Sequence, residues 1–162
     1  MQLNTADKLK VGGAAGMLIF GLVGGWASFA GETAGNAFDW VRGWISWILV
    51  IAVGVITILR ARGIGKLSAS QVTLISVLAS GVATLLMLLL IITGPDKSAM
   101  GFKVEFGRGW ALWVSFIATA ATLAGSVMGF TASGGNLKDL TDVNKLKNTL
   151  GGGSTPPPPP AS

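Results

Sequence analysis

The chain contains no cysteine, no histidine and no tyrosine, and charged residues make up only 12% of it. Without cysteine there are no disulfides, and without cysteine and histidine the usual zinc and iron ligand sets are excluded. The same absences remove the commonest general base and every Ser-His or Cys-His nucleophile pair. The charged fraction is about half that of an average soluble domain. What fills the space is apolar: 51% of the 162 residues are hydrophobic, and the mean hydropathy is +0.64. A soluble protein of this size has too little interior to hide so much apolar surface. Lipid is its natural solvent, and its length fits a single domain.

Four apolar stretches are each long enough to cross about 30 Å of hydrocarbon, which takes roughly 20 helical residues. They lie near Val11–Ala30, Gly43–Leu59, Val72–Thr93 and Gly109–Thr131. Beginning the second at Trp40, for a span over 40–59, places Arg42 near its end, where the side chain reaches the headgroups. Ser28-Phe29-Ala30 has the small-x-small form of a signal-peptidase site. The apolar run before it is longer than the 7–15 residues of a signal peptide, so an uncleaved span is expected. The expected fold is an all-α membrane protein, a four-transmembrane-helix bundle over residues 1–133. A short cytoplasmic amphipathic helix over 134–150 and a disordered Gly/Pro-rich tail over 151–162 follow it.

Charge sets the orientation. The N-terminal segment, the loop after the second span and the C-terminal tail hold Lys8, Lys10, Arg60, Arg62, Lys66, Lys138, Lys145 and Lys147. The opposite loops hold Arg42, Lys97, Lys103 and Arg108. Eight against four predicts both termini in the cytoplasm, in the cytoplasmic (inner) membrane. The net charge of +5 is thus a topological signal, and no nucleic-acid partner is expected.

Helices in a bilayer associate by close packing and hydrogen bonds, because lipid tails are as apolar as leucine. Gly12/Gly16, Gly21/Gly25 and Gly125/Gly129 form small-xxx-small pairs suited to such packing. Ser115, Thr119, Thr122 and Ser126 make one helical stripe, and Thr73, Ser76, Ser80 and Thr84 a second. These stripes fit the wall of a polar pathway, interhelical hydrogen bonds, or hydroxyls bonded to their own helix; packing is the expectation. Leu85–Ile92 has no small residue and is expected to face lipid. No charge lies deep in a span and no span holds a proline, which argues against coupled transport.

All six tryptophans fall toward the outer face, three of them in the stretch FDWVRGWISW, Phe38–Trp47. Trp40, Trp44 and Trp47 share one face of an expected helix, and Trp110 and Trp113 begin the fourth span. Interfacial anchoring accounts for tryptophan at this level. Trp47, about 10 Å beyond Trp40 along a helix axis, is too deep for anchoring alone. This face is the candidate surface for a partner helix or a lipid, and Asp39 and Arg42, three apart, are placed to pair. Glu32 with Asp39, and Asp96 with Glu105, are expected to be solvated surface charges. Within the second outer loop, KVEF reads as one brief extended piece. In the tail, Asn136 is a cap for a helix with Leu137, Leu140, Val143, Leu146 and Leu150 on one face. Pro156–Pro160 favour a polyproline II rod, which either docks in an aromatic groove of a Pro-rich-motif binder or stays free.

The stretch GFKVEFGRGWALWVSFIATAATLAG and the GGGSTPPPPP end resemble the small four-span actinobacterial membrane proteins with Gly/Pro-rich cytoplasmic tails. Most of these are of uncertain function, so the resemblance implies an architecture and transfers no catalytic residue. No enzyme activity, cofactor or metal is expected. The expected function is that of a non-catalytic accessory or scaffold protein packing on another membrane protein or on a second copy. The alternative is an oligomeric pore or uncoupled channel of holin type, with no pore-lining charge ring to favour it.

Overall fold

In a computed structural model, the described residues are 3–64, 68–99 and 102–150, with the backbone alone described at 96–99, 102–105 and 139. The expected Pro-rich segment lies outside them. Four long helices carry the fold: α1 (Thr5–Leu22), α2 (Val41–Ala61), α3 (Ala69–Thr93) and α4 (Trp110–Ala132). Three of them, α2, α3 and α4, are long and apolar enough to cross a membrane. The chain is therefore a mainly helical protein of membrane-protein character. The helices form a square in which α1 packs on α2 and α4, and α3 packs on α2 and α4.

Local chemistry sets the ends of the helices. Asn4 caps α1 by accepting the Asp7 amide at 2.8 Å, so the helix begins well before Val11 and takes in three charged residues. Ser68 and Gln71 form a reciprocal capping box that starts α3. Arg108 donates through Nε and Nη2 to the carbonyls of Ile91 and Ile92, which the end of α3 leaves without helical partners.

The first span differs from expectation. Helix α1 stops at Leu22, and residues 27–34 form a hairpin of β1 (Ala27–Phe29) and β2 (Glu32–Ala34). Gly24-Gly25 breaks the helix, and Gly25 at φ +110° adopts a backbone that only glycine takes readily. The hairpin turns through Ala30 and Gly31, both at positive φ, as a two-residue turn matched to strand twist requires.

Two further strands, β3 (Asp96–Ala99) and β4 (Phe102–Glu105), pair antiparallel, so the extended piece foreseen at KVEF is half of a hairpin. Their register sets Asp96 opposite Glu105 along the backbone. A short β5 (Gly107–Arg108) joins β1 to give the order β2-β1-β5, tying the loop after α1 to the loop before α4. All the strands thus gather at one end of the bundle, the capped end. The start of α1, the end of α2, the start of α3 and residues 133–150 lie at the other, the tail end.

The segment expected as one amphipathic helix is divided in two: a 3-10 turn at Leu137–Thr141, then α5 (Val143–Leu150). Asp142 interrupts it, its Oδ1 accepting the amides of Asn144 and Lys145 and so starting a new helix. Leu140 and Leu146 pack on a small cluster of Leu74, Val77 and Phe130, while Val143 stays exposed.

Candidate functional site

At the capped end the core is apolar and close-packed. Trp26, Met17, Met87 and Leu112 are fully buried there, together with Ala27, Ala37, Val50 and Ala111. The Trp26 indole donates to the Phe20 carbonyl at 2.7 Å, one of the acceptors left at the end of α1. Gly25 and Gly109 touch backbone to backbone: a Cβ on Gly109 would stand 2.0 Å from the Gly25 carbonyl oxygen. That same oxygen accepts the amide of Ala111, and the Trp26 carbonyl accepts that of Gly109. Gly25 therefore holds the start of α4 from a loop, which corrects its expected place in a helix–helix pair with Gly21.

The tryptophan stripe is not a single face. Trp40 has extended backbone and precedes α2, because Asn36 and Asp39 close a capping box around a 3-10 turn at Ala37–Asp39. Its indole is buried in the cap. Trp47 turns inward against Gly21, where a Cβ would lie 2.2 Å from the indole Cδ1, and its ring meets Phe38 at 5.3 Å. This contact explains a tryptophan too deep for an interfacial belt. Exposure remains at Trp44 (37%), Trp110 (50%) and Trp113 (47%). Trp110 also meets the edge of Phe20 at 5.9 Å. Arg42 donates to the Thr93 hydroxyl at 2.8 Å, linking α2 to the end of α3, and Asp39 accepts the Asn36 amide.

Between α1 and α4, Gly13 rests on Ala118 and Thr122, Gly125 on Ala6, Leu9 and Lys10, and Gly129 on the Lys10 side chain. Gly16 packs tightly on Ala118, whose methyl would lie 3.3 Å from a Cβ there. Gly12 is the exception to the expected packing set: it has no neighbour within 4 Å of a Cβ, because the adjacent Gly13 occupies the contact face. Gly54, against Ala14, does the same work between α1 and α2 and was not singled out in the sequence.

Both hydroxyl stripes turn inward; Ser76, Ser80, Ser115, Thr119, Thr122 and Ser126 are buried. Thr122 and Ser126 donate to carbonyls four residues back, as do Ser76, Ser80 and Thr84; Thr119 reaches three back, to Phe116. Ser115 Oγ has no partner among the described residues. In Leu85–Ile92, residues Met87, Leu90 and Ile91 are buried while Leu85, Leu88, Leu89 and Ile92 are exposed, a helical division that a uniformly lipid-facing segment would lack.

At the tail end the character changes. Lys10, expected in the N-terminal segment ahead of the first span, lies within α1, is 98% buried and pairs with Asp7 at 2.8 Å. The two stand three residues apart on α1, which sets them on the same side. They face an open cleft of about 360 Å³ lined by residues of all four helices, with Asn4, Thr57, Arg60, Thr73 and Ser133 among its walls. The sequence offered one signal for it, the i, i+3 spacing of Asp7 and Lys10, and that spacing is common at helix ends. No protein-family profile, curated protein or solved structure matches this chain.

Proposed function

We propose that this protein is a four-span, non-catalytic accessory or scaffold protein of the cytoplasmic membrane, binding another membrane protein by helix packing. The observation that carries the reading is the packed apolar cap. Fully buried Trp26, Met17, Met87 and Leu112 fill the bundle, which supports no path through a single copy. The hydroxyls below them give their protons to their own helices. The surface then offers apolar helix faces and three exposed tryptophans, Trp44, Trp110 and Trp113, as the means of recognition.

The fourth span is α1, whose 18 residues extend about 27 Å at 1.5 Å per residue. Its charges are compatible with that role, because Lys10 and Asp7 turn into the bundle and away from lipid, and Lys8 near the end snorkels. Positive charge at the tail end supports cytoplasmic termini. There Val143, Lys145 and Lys147 on α5 rest against the inner leaflet.

Purification of the full chain from its own membrane in mild detergent tests the proposal. A stoichiometric membrane-protein partner is expected, reduced at least fivefold by Trp44→Ala or Trp113→Ala at unchanged abundance. Repeated isolation of the chain alone, or solute flux through proteoliposomes that hold only this chain, overturns it.

A further inference from the structure

The tail-end cavity has chemistry that a packing role leaves unused. Lys10 carries three N–H donors and has one partner there, Asp7. Arg60 lines the same space, and its guanidinium has no hydrogen bond among the described residues. Asn4, an exposed residue at the rim of the same space, uses its amide oxygen to cap α1. The hydroxyls of Thr57 and Thr73 donate to the carbonyls of their own helices, so only their lone pairs remain. Unused capacity is therefore mostly N–H, beside two cationic groups and a single carboxylate. The ends of the four helices do not alter this sign: α1 and α3 begin at the cavity while α2 and α4 end there, and opposed dipoles cancel.

A buried ammonium with open donors needs acceptors, from water or from a ligand. A volume of about 360 Å³ holds roughly a dozen waters at about 30 Å³ each, which is also room for a tetrahedral oxyanion with its substituents. Two cations against one carboxylate leave a single positive charge, the complement of a phosphodiester. Lysine and arginine are the side chains that bind phosphate oxygens, the first as a point charge and the second as a fork.

We propose that this cavity binds a phosphate group, either free phosphate or the headgroup of an anionic phospholipid, with Lys10 and Arg60 as its donors. Asp7 orients the Lys10 ammonium and limits the site to one net charge. The inference goes beyond the scaffold reading and holds whether or not a protein partner exists.

The test uses the full chain in a neutral detergent with two probes. Inorganic phosphate is titrated calorimetrically, and short-chain phosphatidylglycerol is compared with phosphatidylcholine by native mass spectrometry. Binding of phosphate, or at least tenfold preference for phosphatidylglycerol, is expected, and which probe binds assigns the source. Arg60→Gln is expected to weaken binding about tenfold, and Lys10→Met at least as much. Lys8→Gln removes the same charge from an exposed position on α1 that faces away from the cavity, and is expected to change binding less than twofold. Arg60 is exposed near the end of α2, so Arg60→Gln decides the matter should Lys10→Met fail to fold. Absence of binding by either probe, unchanged binding in Arg60→Gln, or an equal loss in Lys8→Gln overturns the proposal.

Discussion

The two ends of the bundle solve opposite problems with the same four helices. At the capped end, glycine is placed where bulk arrives: Gly21 receives Trp47, Gly43 receives Trp26, and Gly109 receives the Gly25 carbonyl. At the tail end, glycine makes room for a charge, with Gly129 beside the Lys10 ammonium. One end is closed by apolar packing, and the other keeps a polar cleft around the buried Lys10 and its partner Asp7. Small residues in a membrane bundle therefore do more than draw helices together, for what they admit differs along one helix pair.

The largest effect expected from this contrast is at Trp26. Truncating a fully buried tryptophan costs about 3–5 kcal/mol, and here it also frees the Phe20 carbonyl. Trp26→Ala should lower the thermal midpoint in detergent sharply, while Trp113→Ala, half exposed on α4, should move it little. Equal shifts for the two would mean that the cap is not the packed end.

The boundary between the two ends also marks what was legible in the sequence. Helices α2, α3 and α4 follow from uninterrupted apolar runs, whose length has one solution in lipid. Helix α1 was blurred at both ends for separate reasons. Asp7, Lys8 and Lys10 hide its start, because charges before an apolar run read as a flank, although Asn4 is an ordinary cap signal. Gly24-Gly25 hides its end, because the pair fits a packing motif as well as a break, and only the tertiary contact with Gly109 separates the two. The face shared by Trp40, Trp44 and Trp47 required a helix running through Trp40, and Asn36 with Asp39 prevented it locally. Lys10 was the least legible of all. Burial of a charge depends on a partner and a cavity assembled from four helices, and no local pattern encodes either.

A middle-sized effect separates two adjacent glycines. A methyl on Gly13 would meet Thr122 Oγ1 at 2.2 Å and the Ala118 carbonyl oxygen at 2.5 Å, so Gly13→Ala forces α1 and α4 apart. Overpacking of this kind costs about 1–3 kcal/mol. Gly12→Ala meets nothing and should be neutral or gain up to about 1 kcal/mol from helix propensity. Reversible unfolding in mixed micelles measures both, and a reversed order would place the α1–α4 contact on the wrong face.

The smallest effect probes how dry the capped end is. Ser46 Oγ lies 2.7 Å from the Arg42 carbonyl oxygen and 3.1 Å from that of Ala83, so it bridges α2 and α3. Ser115, also fully buried, has no such partner among the described residues. Interhelical hydrogen bonds of this kind average about 0.6 kcal/mol in membrane proteins, so Ser46→Ala should cost roughly that amount. A buried hydroxyl without a partner contributes a desolvation penalty instead, so Ser115→Ala should be neutral or stabilise by under about 1 kcal/mol. The same unfolding assay resolves the difference in sign. If Ser115→Ala cost as much as Ser46→Ala, Ser115 would be bonded to an internal water, and the boundary between the dry end and the polar end would move outward along α4.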